Sequence, residues 1–472
     1  MQNAIVNFVN TATGYLWGPF MLVLLLGGGV FLTFRLKFIQ FRFFGYMLKQ
    51  TVGSVFKKNK ITSEKEPEGT LTPFQAVTTA LASTVGASNI VGVPVAIFFG
   101  GPGAVFWMWI TALIGMITKF SEIVLGVKYR EKNVNGDYVG GPMYYLKNGL
   151  KSKALGNTYA FLFMLTIVSG IMVQANSAAG AAVTLGLPTY VSGVIILIMV
   201  GLIVIGGVKR IGRVSEVFVP FMAIFYVIGC LIIIIANISA VPAVFALIFK
   251  SAFTGQATAG GFLGSTIAMA LRWGIARGAY SNEAGMGSAP IAHSTAKTDH
   301  PVRQGFWGMF EVFVDTLVIC TMTALVILTS GIWKSTDVIA SGMTSKVFSD
   351  FYGPIGGYVV AISVLLFVIS TIYVILFYGE RLAEYLFGHT FSLVMRYVYL
   401  AACFAGAVGG LKFVWIFLDL LFGLSVIPNM IGVIALSGVV AAQTKEYFTT
   451  EGKYYLKDVG SKGHYQKTID KK

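Results

Sequence analysis

The chain has 472 residues, 56% of them hydrophobic and 12% charged, with a mean hydropathy of +0.76 and a formal net charge of +15. A soluble chain of this length carries roughly 25% charged residues, so a soluble globular protein is excluded and most of the chain faces lipid or is buried among membrane helices. The positive excess gathers in the segments between apolar runs, which is the bias of a membrane protein rather than a nucleic-acid footprint.

A spanning helix needs ~20 mostly apolar residues, and about 11 such segments are predicted. In chain order they are Tyr15–Phe34, Leu71–Phe99, Gly103–Val127, Tyr159–Val183, Val191–Val208 and Val214–Ala236, then Gly261–Ile291, Gln304–Ser330, Pro354–Leu386, Arg396–Gly409 and Leu411–Ala441. The start of the sequence lacks a basic region followed by a cleavage site, so no cleaved signal peptide is expected. Between the first two spans, Phe38–Phe56 is amphipathic and is expected on the cytoplasmic membrane surface.

The loops give an orientation. Arg35, Lys37, Arg42, Lys49, Lys57, Lys58 and Lys60 follow the first span; Lys128, Arg130, Lys132, Lys147, Lys151 and Lys153 follow the third; Lys209, Arg210 and Arg213 follow the fifth. Lys445, Lys453, Lys457 and four later lysines fill the tail, whereas Leu185–Tyr190 holds neither Lys nor Arg. This predicts an outside N-terminus, a cytoplasmic C-terminus and a multi-pass protein of the inner cell membrane. Cys230, Cys320 and Cys403 each lie alone in an apolar run, so neither a disulfide framework nor a metal site is expected, and the four histidines show no ligand spacing.

Two spans are unusual. Phe74–Trp109 and Ala270–His293 are apolar at both ends and rich in Gly, Ser, Asn and Thr at their centres: Gly86 and Asn89 in the first, Gly278, Ser281, Asn282, Gly285 and Gly287 in the second. Such runs make poor helix interiors, and unwound backbone survives at membrane depth only where it lines a cavity or is buried in protein. The two also correspond. Phe106-Trp107 follows Gly86 by 20 residues, Phe306-Trp307 follows Gly285 by 21, and Pro94 and Pro290 stand just past the breaks. Paired interrupted segments in two halves point to a transporter's substrate site. Running in opposite directions, they predict inverted repeats over residues 71–236 and 261–441. Around these lie a first span with its amphipathic loop (1–70), an extracellular loop (237–260) and a basic tail (442–472).

The stretches Gly100–Trp109 (GGPGAVFWMW), Gly140–Tyr145 (GGPMYY) and Ala276–His293 (ARGAYSNEAGMGSAPIAH) resemble the alanine/glycine:cation symporter family over nearly the whole chain. The resemblance implies an all-α membrane protein of LeuT type, a 5+5 inverted repeat with one extra N-terminal helix and two broken helices. It also implies sodium coupling, a small neutral amino acid as substrate and no organic cofactor. The first broken helix is similar to that of the neurotransmitter-sodium-symporter group, which implies a sodium ligand at Asn89. The second sodium site of that fold maps onto Ser370, Thr371, Ala82 and Val85. Two departures stand out: Gly86-Ala87-Ser88-Asn89 replaces the usual GTGN, and Ile375 stands near a usual Trp, which keeps glutamine open beside alanine and glycine.

A zwitterion presents a carboxylate, which suits free amides at the positive end of a half-helix. Gly86, Ala87, Ser88 and Asn89 are the candidates. Its ammonium suits carbonyls and neutral oxygens at Ser83, Thr84, Ser281 and Asn282. Gln174 and Asn176 are mid-span amides, and Tyr280 is a candidate aromatic gate. Among ionisable residues inside spans are Glu122, Glu216, Arg272, Arg277, Glu283, Glu311 and Asp315. Arg277 and Glu283 are read as ties between the second break and its scaffold, outside the contacting set. Proton coupling on the same fold is the main alternative. Against an ion channel, the sequence shows no pore-helix and filter-like repeat, and against a membrane enzyme it shows no catalytic cluster. Lipid is the remaining partner; oligomeric state is left open.

Overall fold

In the computed structural model, residues 2–56, 69–254, 266–335, 338–409, 412–451 and 453–459 are described. Eight helices among them are long and apolar enough to cross a membrane, or nine if the bent pair Pro73–Thr84 and Ser88–Gly100 counts as one span. They are α1 (Val6–Arg35), α2 and α3 (the bent pair), α4 (Gly103–Lys128), α6 (Lys153–Val183), α8 (Gly207–Ala236), α12 (Pro301–Ser330), α14 (Pro354–Phe387), α15 (His389–Val408) and α16 (Phe413–Ala435). The other two of the eleven expected segments are shorter: α7 (Thr189–Val204), and the second interrupted segment, α10 (Ile267–Asn282) followed by α11 (Ala289–His293).

Both broken helices are written into local sequence. Helix α2 begins with a capping box, in which Gln75 N–H donates to Thr72 Oγ1 and Thr72 N–H to Gln75 Oε1, each at 3.1 Å, with Pro73 in the first turn. It ends at Val85, whose φ of −78° and ψ of 90° turn the chain out of helix, and α3 leaves at a bend of 46°. Helix α10 stops at Glu283, which adopts a left-handed φ of 54°; Gly285 and Gly287 follow at φ 94° and 77°. Glycine takes that conformation without a Cβ penalty, and a Cβ at Gly287 would stand 2.2 Å from Pro142 Cγ. The second break is therefore residues 283–288, and Gly278, Ser281 and Asn282, expected near its centre, belong to the helix before it.

Helix α4 packs along α10 and α12, and α6 packs along α14, α15 and α16. Small residues permit the first contact: a Cβ at Gly274 would lie 2.4 Å from the Ala104 carbonyl oxygen. Helix α1 packs against α4 and α16.

Several boundaries differ from expectation. The expected extracellular loop is partly helical: α9 (Val241–Thr254) sets Phe245 at 5.9 Å from Trp109, and Phe249 and Phe253 at 5.5 and 5.0 Å from Phe106, ring centre to ring centre. Phenylalanines four residues apart make one face of a helix. Residues 255–260 of that loop, and 261–265 of the seventh expected segment, lie outside the described residues. Lys209, Arg210 and Arg213 are not in a loop but in the first turns of α8, exposed. Between α4 and α6 the loop holds a short antiparallel pair, β1 (Glu131–Lys132) and β2 (Tyr138–Val139), and a helix, α5 (Pro142–Asn148). The amphipathic stretch forms the short helices Ile39–Arg42, Phe44–Gln50 and Val52–Phe56. The eleventh segment ends at Ala435, and the next helix is Ser437–Thr449. Lys57, Lys58 and Lys60, and the four last lysines, also fall outside the described residues.

His300 caps α12, its Nδ1 accepting from Val302 N–H at 3.2 Å, with the ring against Tyr447 and Tyr454. Burial pushes this imidazole down to about 4, against the pull of Glu446 and Asp299. A base held neutral in the fold stabilises it fully above the unfolded pKa, near 6.5, and that contribution fades as pH falls from there towards 4. Lowering pH from 7.5 to 5 should cost about 2 kcal/mol through this group. His300→Asn keeps a cap acceptor and should lose this acid sensitivity in detergent melts. An unchanged acid shift would show that His300 does not carry it.

Candidate functional site

Between the two breaks lies a cavity of ≈ 50 Å³. Its wall is Ser83, Thr84, Gly86 and Ser88 from the first broken helix and Tyr280 and Glu283 from the second. Phe163, Thr166, Ile167, Gly170 and Gln174 of α6, Thr371 and Ile375 of α14, and Leu418 and Phe422 of α16 complete it. The breaks supply Ser83, Thr84, Ser88 and Glu283, whereas α6, α14 and α16 supply the apolar residues together with Thr166, Gln174 and Thr371.

Five of the nine residues expected around a substrate are on this wall: Ser83, Thr84, Gly86, Gln174 and Tyr280. Gln174 Oε1 is buried without a hydrogen-bond partner, and the Tyr280 ring leans on Phe422 at 5.2 Å. Ala87, Asn176, Ser281 and Asn282 are not on the wall. Asn176 is two residues past Gln174, about 200° around the helix, and its Nδ2 donates to the Gly406 and Gly409 carbonyls at 3.3 and 3.2 Å. Ser281 and Asn282 point to α12: Ser281 Oγ donates to Asp315 Oδ2 at 2.8 Å, and Asn282 Nδ2 to Thr316 Oγ1 at 3.3 Å. Asn282 Oδ1 accepts from Ala284 N–H at 3.0 Å, which caps the end of α10. Asn282 thus ends a helix and does not sit in the unwound segment.

The expected ion ligands divide similarly. Thr371 faces the cavity, close enough that a Cβ on Gly86 would lie 2.9 Å from its Oγ1. Ser370, one residue earlier and turned about 100° away, meets Met222 Sδ at 3.3 Å, and both hydroxyls donate to the Phe367 carbonyl, Ser370 at 2.7 Å and Thr371 at 2.9 Å. Ala82 and Val85 are buried at the end of α2. Gly86 N–H donates to Asn89 Oδ1 at 2.9 Å, so the Ala82 carbonyl lacks its i+4 donor, and the Gly86 amide is already taken. Asn89 itself lies behind the cavity. Its Nδ2 donates to Asp315 Oδ1 at 2.7 Å and to Ser281 Oγ at 3.2 Å, and Thr316 Oγ1 donates to Asp315 Oδ2 at 2.7 Å. A carboxylate and the Ser281 and Thr316 hydroxyls therefore converge where the two breaks meet α12, with the Asn89 and Asn282 amides turned NH2-first towards them; these oxygens are of the kind a hard cation requires.

A second polar cluster secures the break in α10. Lys119 Nζ lies 3.0 Å from Glu311 Oε1 and donates to the Asn282 carbonyl at 2.8 Å, with Lys119 and Glu311 fully buried. Glu311 Oε2 meets His293 Nε2 at 3.3 Å, and Gln304 Nε2 meets His293 Nδ1 at 2.6 Å. Asn429 donates to Glu122 and, at 2.8 Å, to the Gly285 carbonyl, and accepts from the Tyr145 hydroxyl. Tyr159 donates to the Met286 carbonyl at 2.9 Å. These contacts satisfy carbonyls that unwinding would otherwise leave bare at membrane depth. Lys119 and Asn429 are absent from the sequence-derived candidates. The signal for Lys119 was present, since any lysine inside an apolar span needs a partner.

Two interrupted helices facing each other across a small cavity are the arrangement of the LeuT fold. The comparisons agree and specify. The profile of the Sodium:alanine symporter family matches residues 2–459, and the chain belongs to that family. It is 50% identical over 96% of its length, and 95% of the relative's, to the uncharacterized transporter YflA of Bacillus subtilis. It is 43% identical to the sodium/alanine symporter AgcS of Methanococcus maripaludis, covering 94% of this chain and 97% of that one. The probable sodium/glutamine symporter GlnT of B. subtilis is 39% identical over 95% of this chain and 91% of its own. Among solved structures, MhsT in complex with L-phenylalanine superposes with a TM-score of 0.56 at 14% identity, covering 79% of this chain and 89% of that one. That likeness concerns the fold alone. The protein is an amino-acid transporter of the membrane, with several helices crossing it.

Proposed function

We propose that the protein couples sodium entry to import of a small neutral amino acid, alanine or glycine first, by alternating access. The cavity between the two helix breaks, with the unpartnered Gln174 Oε1 in its wall, carries the reading. The substrate carboxylate rests on the Ser88 amide, which opens the outer half-helix α3 where its dipole is positive. The ammonium is met by the oxygens of Ser83, Thr84 and Gln174, and the side chain lies against Ile167, Ile375 and Leu418. A volume of ≈ 50 Å³ suits a side chain of one or two heavy atoms, because a single water already requires about 10–15 Å³ on the same measure. Glutamine needs a rearrangement at Ile375.

Sodium is assigned to two places. One lies between Thr371 and the Ala82 and Val85 carbonyls. The other lies at Asn89 with Ser281 and Asp315. The names of AgcS and GlnT support this coupling ion. The orientation, N-terminus outside, and the two inverted repeats complete the proposal, the loop lysines and the paired breaks being their support.

Thr371→Val removes a hydroxyl at nearly constant volume. Losing one hydrogen-bonding contact to a charged species costs about 1.5–3 kcal/mol, so the sodium concentration for half-maximal uptake should rise about tenfold or more. Ser370→Ala should change it far less, because Ser370 is off the cavity wall and its hydroxyl lies against Met222 Sδ. Equal effects of the two substitutions, or none, would remove this sodium position.

A further inference from the structure

Glu283 is the only charged residue among those lining the cavity. Its carboxylate accepts from Ser288 Oγ and, at 3.4 Å, from Ser83 Oγ. Among the described residues no Lys, Arg or His nitrogen lies within ion-pair distance of it; Lys119, whose charge acts on it from further away, is engaged directly by Glu311 and the Asn282 carbonyl. The backbone at Glu283 is left-handed, a conformation glycine would fill with less strain. A glutamate is thus held at an unfavourable backbone position, facing a cavity at membrane depth, with Lys119 acting on it only from beyond ion-pair distance. An unpaired carboxylate in such a place is costly unless a cation meets it. The same cavity is lined by Ser88, where α3 begins and its dipole is positive. The cavity therefore carries both a carboxylate and the positive start of a half-helix, the two features that the charges of an α-amino acid call for.

We propose that Glu283 is the counter-ion for the substrate's ammonium group, and that it makes the site selective for amino acids over hydroxy acids of the same shape. The inference rests on the amino-acid reading of the cavity and adds a residue that sets its specificity. Ser83 and Ser288 orient the carboxylate, and Gln174 contributes a neutral acceptor from α6.

The test compares L-alanine with L-lactate, which keeps the carboxylate and methyl and replaces the ammonium by a hydroxyl. Both are used as competitors of labelled alanine uptake in proteoliposomes at saturating sodium and constant pH. A charge-assisted contact to a desolvated ammonium corresponds to about 10–150-fold in affinity. Glu283→Gln should weaken alanine by about that factor and leave lactate unchanged or tighter, since the repulsion of its carboxylate is relieved. The alanine-over-lactate ratio should collapse. Glu283→Asp, a residue tolerant of left-handed backbone, keeps the charge and should keep the preference to within about tenfold. Parallel weakening of alanine and lactate in the Gln variant, at intact ratio, would assign Glu283 to the scaffold and overturn the proposal. So would loss of the preference in the charged Asp variant. Failure of the wild type to recognise any neutral amino acid would instead overturn the functional reading beneath it.

Discussion

Gly86→Val abolishes amino-acid binding in this account while the protein still folds. A glycine at a helix break can serve an unusual backbone or a close approach, and at Gly86 it is the second. Gly86 is not among the residues with left-handed φ, so strain is not the reason for glycine. Its missing side chain is: a Cβ would stand 2.9 Å from Thr371 Oγ1 and 3.6 Å from Gln174 Nε2, inside the cavity. Valine adds two further carbons there and fills the volume the substrate needs. A loss of at least about 100-fold in affinity is expected, since overpacking costs about 1–3 kcal/mol before the ligand is excluded. Alanine, whose single methyl the Thr371 hydroxyl can partly avoid, should weaken binding by roughly tenfold. Gly29, in the first span, is no neutral control, because a Cβ there would meet Ile114 Cγ2 at 2.2 Å. Gly180, on α6 with open space around it, is the proper one. Binding and thermal stability of Gly86→Val and Gly180→Val should therefore separate. Intact binding in the first would make Gly86 a packing residue.

Lys119→Met should be the most destabilising single change in the bundle. Its ammonium is fully buried, pairs with Glu311 and holds the Asn282 carbonyl. Removing one partner of a buried pair leaves an uncompensated charge, at a cost of about 3–5 kcal/mol. Methionine fills most of the volume, so the loss is electrostatic rather than a cavity. Lys119→Met with Glu311→Met should recover most of the stability, because a buried pair replaced by apolar residues is often neutral. Recovery should fall short by about 1–3 kcal/mol for the Asn282 carbonyl left without its donor. Thermal unfolding in detergent reads both. A single variant as stable as the wild type, or a double variant no better than the single, would show that the pair is not what secures the break.

The presence of two breaks was legible because Gly, Ser and Asn cluster there inside apolar runs, and the quoted motifs pointed to the family before any geometry. The orientation of individual side chains was not. Gln174 and Asn176 are both amides in one long apolar helix, and what turns the first to the cavity and the second to α15 is the packing of α6 among three neighbours. Ser370 and Thr371 are adjacent, so the helix that offers one to the cavity withdraws the other. The second break was placed too early because Ser281 and Gly278 look like unwinding residues. In the structure Gly278 serves a close approach, where a Cβ would lie 3.2 Å from Thr111 Cβ, and the left-handed turn begins only at Glu283. Lys119 was legible as a lysine inside an apolar run, but its partner Glu311 is on another span and only the packing joins them. Glu283 was visible as an ionisable residue, but whether it faced a cation or the cavity required coordinates.

The central claim is sodium-driven transport of a small neutral amino acid through the cavity between the breaks. Uptake of labelled alanine into proteoliposomes tests it most directly, with an inward sodium gradient imposed or withheld at the same pH on both sides. The account predicts concentrative uptake that requires the sodium gradient, is competed by glycine, and is lost in Gly86→Val. Uptake that persists without sodium and follows an imposed pH gradient instead would contradict it.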